Sequence, residues 1–322
     1  MSERQLMIDV SRQFYLQDRS KMEIASSLGI SRFKVARLLD QARDSGVVTI
    51  SIMDNLTHDA GLEGRLISHL ALADAVVTRG SADEAENRNA LARAAAAYIR
   101  DHIHPGDTFG FSWGRTLAAI GNYIDVLPES TLVALTGGVG TNFQQSPVEV
   151  LRRVSSKSQV RTMSIFAPLL VESAGTARAL RRDPGIASVL NTYNQLDLAV
   201  LSVGSWKPPI TQLLDYLSPR DVADLEREDA RAEMAGIFLR GDGTLANTQL
   251  PSRRISITPE QLVATPRVVA VAGGDEKLPA IKAVLRSRLV NVLITDDATA
   301  RQLLNAAPVP PGPRVPQRET RN

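Results

Sequence analysis

The sequence predicts a two-part α/β protein: a small N-terminal (winged) helix-turn-helix domain, then a larger doubly wound, mostly parallel α/β domain. Three observations lead there. The chain has 322 residues, enough for two domains and too many for one small module. Short helical patterns with capping residues and one tight turn fill its first stretch. Past about residue 59, short apolar runs alternate with helix-like segments, the pattern of buried parallel strands covered on both faces.

Composition narrows the class. Hydrophobic residues make up 43% and charged residues 22%, as in an ordinary globular chain, and aromatics only 4%, so the cores must be aliphatic. The absence of Cys excludes disulfides, thiolate metal sites and a Cys nucleophile. The start, Met1-Ser-Glu-Arg-Gln, holds no apolar stretch of the secretory kind, and no uncharged run approaches the roughly 20 residues that span a bilayer. A cytoplasmic protein with no membrane partner is expected. A net charge of +2 says nothing about nucleic acid, so any such partner must be read from where the charges sit.

In the N-terminal part, Leu6, Met7, Val10 and Phe14 recur at helical spacing over residues 4–16. Ser20 is placed to cap a second helix over Lys21–Leu28, which Gly29 ends. Ser31 caps a third helix, from Arg32 to about Ser45, and the alternating, β-branched run Val47–Ile52 predicts a strand or wing. Counted from Lys21, Ala25 is fifth, Gly29 ninth, Val35 fifteenth and Leu38 eighteenth, the spacing of a helix-turn-helix. The small residue lets the helices approach, the glycine makes the turn, and the two aliphatics seat the second helix. Ser31, Arg32, Phe33, Lys34 and Arg37 are left at the exposed front, with four basic residues against one acid between Arg32 and Arg43. Such a helix fits the major groove, with Lys21 against a phosphate and Tyr15 in the core. Operator DNA is the implied partner. The bland alternative is a three-helix bundle with a solvated basic face.

In the C-terminal part, candidate strands are Ala75–Thr78, Thr108–Ser112, Leu132–Thr136, Arg161–Phe166, Leu198–Val203, Met234–Leu239, Val268–Ala272 and Val292–Thr295. Helix-like pieces are Glu84–Arg100, Arg115–Val126, Lys277–Arg288 and Ala298–Leu304. Ligands of such sheets bind at the carboxyl ends of the strands, where three glycine-bearing loops fall. In Ser112-Trp-Gly-Arg-Thr116, Gly114 lets backbone approach an anion, the helix start supplies N–H donors, Ser112 and Thr116 add hydroxyls and Arg115 a charge. Its plain reading is a β-to-α turn. Gly137 and Gly138 lie in the second loop, Thr136–Gly140. The third, Gly273-Gly274-Asp-Glu-Lys277, puts a cation at a helix start, where it is disfavoured unless an anion is present. Asp242, between Gly241 and Gly243, is otherwise a β-turn residue.

These stretches resemble the SorC (DeoR-like sugar-binding) family of bacterial transcriptional regulators. The resemblance rests on Ile24–Leu39, Gly110–Leu117, Leu135–Gly140, Asp197–Gly204, Gly236–Gly243, Val268–Gly274 with Lys277, and Asn291–Asp296, and runs from about residue 10 to 305. It implies a carbohydrate-operon regulator that is a homo-oligomer, dimer or tetramer, and responds to a phosphorylated sugar or polyol. It also places Asp242 against the sugar hydroxyls and makes the large domain similar to sugar-phosphate isomerases. No cofactor and no metal are implied. The expected domains are 1–53 (DNA-binding), 54–58 (linker), 59–306 (effector) and 307–322 (a disordered Pro-rich tail).

Two other readings stand beside it. An isomerase-like enzyme with a helical extension requires a general base, and no Asp, Glu or His is singled out for one. A protein-interaction module gated by a metabolite would keep the pocket but not the DNA. His58, His69, His102 and His104 lack metal-ligand spacing, Asp296-Asp297 reads as a helix cap, and Trp206–Pro209 as a loop near the pocket mouth.

Overall fold

A computed structural model describes residues 3–45, 47–48, 59–140 and 146–308, and the chain divides into two compact units, Met1–Asn55 and Leu56–Asn322. The linker expected at 54–58 and residues 309–322 of the expected tail lie outside the described residues.

The first unit holds α1 (Glu3–Tyr15), α2 (Lys21–Leu28) and α3 (Arg32–Asp44). Ser20 and Glu23 form a capping box at the start of α2, and Gly29 closes it at φ 64°, a left-handed conformation that glycine adopts without strain. Ser31 then caps α3 by accepting from the Lys34 N–H at 3.1 Å. Val10, Ile24, Val35, Leu38 and Leu39 are buried together, with Ala25, Phe14 and Tyr15 packed around them. Val47 and Val48 form a bend, and the rest of the expected wing, 49–52, lies outside the described residues.

The second unit runs α4 (Ala60–Leu70), β1 (Asp74–Thr78), α5 (Glu84–His102), β2 (Thr108–Phe111), α6 (Arg115–Tyr123), β3 (Ser130–Ala134), α7 (Pro147–Ser155), β4 (Val160–Met163), α8 (Ala174–Arg182), α9 (Pro184–Thr192) and β5 (Leu198–Ser202). It continues through β6 (Gly204–Ser205), α10 (Pro219–Arg227), β7 (Ala230–Met234), β8 (Ile237–Arg240), α11 (Leu250–Arg253), α12 (Pro259–Ala264), β9 (Arg267–Val271), α13 (Leu278–Ser287), β10 (Val292–Asp296) and α14 (Asp297–Leu304). Seven strands form one parallel sheet in the order β1-β10-β9-β5-β2-β3-β4. Within each central strand successive side chains enter opposite cores. Leu132, Leu198, Val200, Val269, Val271 and Ile294 pack with α5, α6 and α7, while Val133, Ala199, Leu201, Val268, Ala270 and Leu293 pack with α4, α9, α13 and α14. Burial on both faces is why these strands read as unbroken apolar runs.

The expectation of one strand over Met234–Leu239 is corrected. Ala235 and Gly236, at φ 52° and 76°, make a two-residue turn that splits it into β7 and β8, paired antiparallel with β6 in a separate sheet.

Leu38 is fully buried between the helices of the first unit. Leu38→Ala is expected to destabilise that unit by about 2–5 kcal/mol, read by urea denaturation with far-UV circular dichroism; a loss below 1 kcal/mol contradicts this packing.

Candidate functional site

The connection of β2 runs to one side of the sheet, to β3, and that of β5 to the other, towards β9. The carboxyl ends of these neighbours therefore bound a crevice. A pocket of about 180 Å³ lies there, lined by the loops after β2, β5 and β9 and by the first turns of α5.

The loop after β2 supplies Trp113, Gly114, Arg115 and Thr116. Gly114 sits at φ 144°, and a β-carbon there would meet Ser202 Oγ at 2.6 Å, so only glycine fits. It is the N-cap of α6 and gives no side-chain hydrogen bond, so the first N–H groups of this nine-residue helix lack a cap. The loop after β9 supplies Gly273, Gly274 and Lys277. Lys277 precedes α13, and among the described residues its ammonium has no hydrogen-bond or ion-pair partner within the protein. Burial first, and then the Arg115 charge, lower its pKa to about 8. Arg88 and Arg115 flank it, and Glu84 serves both guanidinium groups, at 2.7 and 3.4 Å. Arg88, Arg115 and Lys277 thus gather around Glu84, whose pKa is lowered chiefly by its hydrogen bond with Arg88, while Asp275 and Glu276 of the Lys277 loop line the same pocket as exposed carboxylates. Lys277, without a partner of its own among the described residues, is matched to an anion.

Another part of the wall holds Thr211 and Glu233. Glu233 is buried and accepts the Gly236 N–H at 2.6 Å, which fixes the β7–β8 turn, and the Thr211 hydroxyl at 3.5 Å. Burial pushes its pKa up to about 7, against the pull of the Gly236 N–H and of Thr211. The Trp113 indole N–H faces this carboxyl and closes no hydrogen bond.

Of the sequence-predicted pocket residues, the structure brings together Gly114, Arg115, Thr116, Gly273, Gly274 and Lys277. The others lie off the pocket wall. The Ser112 side chain is fully buried, donating to the Trp113 carbonyl and accepting the Ser202 N–H, both at 3.3 Å. Gly137 and Gly138 give their N–H groups to Ile255 and Ala167 carbonyls; a β-carbon on Gly137 would meet Ala167 O at 2.5 Å, so Gly137 serves close backbone packing, whereas one on Gly138 would meet no atom within 4 Å. Asp242 is tied to the Thr244 N–H and hydroxyl at 2.9 and 2.7 Å, in a turn packed on the C-terminal end of α13, whereas Lys277 is at the other end. The Gly274 N–H is also committed inward, to Asp296 and Thr299 at 2.8 and 2.9 Å. Sequence reasoning missed Glu84, Asn87, Arg88, Thr211 and Glu233. The legible signal for Glu233 was a lone acid in the apolar run Ala232–Ala235.

In the first unit, Arg32, Phe33 and Arg37 are exposed on α3, Phe33 at 87%. Ser31 is spent on the cap, and Lys34 is half-buried. Among the described residues the side chains of Arg32, Lys34 and Arg37 hold no ion pair. The Lys21 ammonium lies over the Phe14 ring at 5.7 Å, and Tyr15 packs in the core as expected.

Residues 54–305 match the family model described as "Putative sugar-binding domain". The chain belongs to this family. Among curated relatives, the sugar-binding-domain chain is 28% identical to the "Deoxyribonucleoside regulator" of Bacillus subtilis, covering 94% of this chain and 97% of that one. It is equally 28% identical to the "Erythritol catabolism regulatory protein EryD" of Brucella abortus, covering 90% and 93%. The full-length Sorbitol Operon Regulator SorC from Klebsiella pneumoniae shares the fold, with a TM-score of 0.71 at 24% identity over 93% of this chain and 98% of that one. The resemblance to SorC-type regulators therefore stands. These relatives are regulators rather than isomerases, and the chain falls with them as a non-enzyme. Among the described residues no helix is long and apolar enough to cross a membrane, and no group of acids or histidines is arranged to hold a metal.

Glu233 gives this pocket a pH signature. Its ordinary pKa is 4.5 and its folded one about 7, so between these values the folded chain holds a proton that the unfolded chain has released. Stability through this group is full below about pH 4.5 and is lost as pH rises to 7. Glu233→Gln should remove that loss, the difference from the native chain reaching roughly 3 kcal/mol by pH 8. Urea denaturation of both proteins at pH 5 and pH 8 measures it, and an equal difference at the two pH values counts against a raised pKa.

Proposed function

We propose that this chain is a DNA-binding transcriptional regulator of a carbohydrate-metabolism operon, whose operator affinity is controlled by a small phosphorylated sugar or polyol. The observation that carries the reading is the uncapped start of α6 in the same pocket as Arg88, Arg115 and Lys277, with Glu84 shared by the two guanidinium groups and Lys277 left without a partner among the described residues. A dianionic phosphate supplies acceptors for the free N–H groups and charge for the cations in one group. At about 180 Å³ the pocket is below the roughly 300–1,000 Å³ of drug-sized sites, which favours a compact polyhydroxylated ligand. The regulators of deoxyribonucleosides, erythritol and sorbitol among its relatives point to the same class.

In this reading residues 1–53 form the DNA-binding domain, a helix-turn-helix, and residues 59–306 the effector domain. Front residues Arg32, Phe33, Lys34 and Arg37 of α3 enter the major groove, with Lys21 on the flanking backbone. A cytoplasmic homo-oligomer, dimer or tetramer, presents paired helices to operator half-sites. The effector acts by binding one arrangement of the oligomer better than another, and a tenfold change in operator affinity needs about 1.4 kcal/mol of such preference.

Two sets of variants test the two halves. Arg32→Ala or Arg37→Ala should weaken operator binding by about 1–3 kcal/mol with effector binding intact. Lys277→Ala should leave operator binding in place and abolish the response to a phosphorylated sugar. Fluorescence anisotropy on promoter fragments, with a panel of sugar and polyol phosphates, measures both. Native operator affinity in the Arg variants removes the α3 assignment, and an unchanged dose response in Lys277→Ala moves the effector site elsewhere.

A further inference from the structure

The pocket face of α5 carries Glu84, Asn87, Arg88 and Leu91, at the i, i+3, i+4, i+7 spacing of one helical stripe. Asn87 differs from its neighbours in having one end of its side chain tied and the other free. Its Nδ2 donates to Asp296 Oδ2 at 3.1 Å. Asp296 is buried at the end of β10, where Oδ2 also accepts the Gly274 N–H at 2.8 Å and Oδ1 accepts the Thr299 N–H at 2.7 Å. A carboxylate that accepts these N–H groups has no proton to return, so only the NH₂ end of Asn87 can face it. Chemistry fixes the amide orientation. The carbonyl end, Oδ1, is then buried with no donor among the described residues, in a side chain that lines the pocket. The neighbouring Arg88 guanidinium is engaged by Glu84 at 2.7 Å, and Leu91 offers nothing polar.

We propose that Asn87 is a specificity-determining residue: its Oδ1 accepts a hydrogen bond from a hydroxyl of the bound molecule, and Asp296 is the positioning residue that turns this oxygen towards it. The assignment rests on the pocket binding a phosphorylated sugar or polyol, and it adds what distinguishes one phosphate ester from another. An acceptor-only atom welcomes an O–H and rejects an alkyl chain, a carbonyl or a second anion at that point. The cationic wall reads the phosphate, and Asn87 reads the hydroxylated body.

Titration calorimetry on the full chain tests this with inorganic phosphate, n-propyl phosphate, glycerol 3-phosphate, ribose 5-phosphate and sorbitol 6-phosphate. Asn87→Ala should weaken the tightest hydroxylated probe about tenfold and leave inorganic and n-propyl phosphate within about twofold. Asp296→Asn should produce the same selective loss, because its new amide can donate to Asn87 Oδ1 and consume the acceptor. Asp296 also caps α14, so thermal melting accompanies that variant and Asn87→Ala decides where it fails to fold. No loss for any probe, or an equal loss for all five, overturns the assignment. If Lys277→Ala abolishes phosphate binding while Asn87→Ala changes nothing, the pocket reading stands and the role of Asn87 falls. Should the native chain bind none of the five probes, both fall together.

Discussion

The reversal of strand order between β2 and β5 is the constraint from which the pocket follows. A parallel sheet must return its chain over one face or the other, and here the returns diverge at neighbouring strands, so no connection covers their carboxyl ends. The loop after β2 is short and starts α6, which leaves the first N–H groups of that helix without a cap at the crevice, while β5 leads straight into β6. Gly114 answers a local demand of this geometry, since the Ser202 side chain from the adjacent strand occupies the volume a β-carbon would need. A substitution at either position therefore acts on both loops.

Electrostatics then divides the cleft. On one wall Arg88 and Arg115 share Glu84, the exposed Asp275 and Glu276 stand on the adjoining loop, and Lys277 is far enough from water that its pKa falls to about 8. On the other wall Glu233 is sealed from water and has a pKa of about 7, so near neutrality it can give or accept a hydrogen bond. These two shifts have the same origin, desolvation, and opposite signs because one group is a cation and the other an acid. Lys277 lacks a partner anion among the described residues, and Glu233 can manage without a counter-ion. A ligand with an anion at one end and hydroxyls at the other satisfies both at once, whereas a simple anion leaves the second wall idle.

Most of the frame was legible in the sequence because it depends on local rules. Caps at Ser20 and Ser31, the turn at Gly29 and the apolar runs of the central strands all express demands that neighbouring residues set. Glycine-rich loops were legible as places where side chains are excluded, but not for what excludes them. At Gly114 the excluded volume borders the pocket, while at Gly137 it belongs to the Ala167–Pro168 backbone and at Gly243 to the end of α13. That difference is set by chain segments tens of residues away. Glu84, Asn87 and Arg88 were hidden for a related reason. They lie in the polar first turns of α5, and such a stripe reads as solvated unless the loop that faces it is known. The β7–β8 hairpin was read as one strand because its turn uses Ala235 in a left-handed conformation that alanine seldom adopts.

The two clusters of basic residues in the chain differ in solvent, and that difference bears on partners more than the charge they share. Arg32 and Arg37 stand in water on α3 without ion pairs among the described residues, so each is fully hydrated and screened by salt. Such charges gain little from a single small anion, because the attraction in water barely exceeds the hydration lost. They gain from a polyanion, where several contacts form together and condensed counter-ions are released. Arg115 and Lys277 sit against a wall of protein, with part of their hydration already removed on folding. For them one well-placed anion is worth more than a diffuse field, since the low local dielectric strengthens the contact and the folded loops hold the donors in place. A long duplex suits the first arrangement and cannot enter the second. In the proposed reading, hydration is what separates two recognition tasks that side-chain chemistry would otherwise confuse.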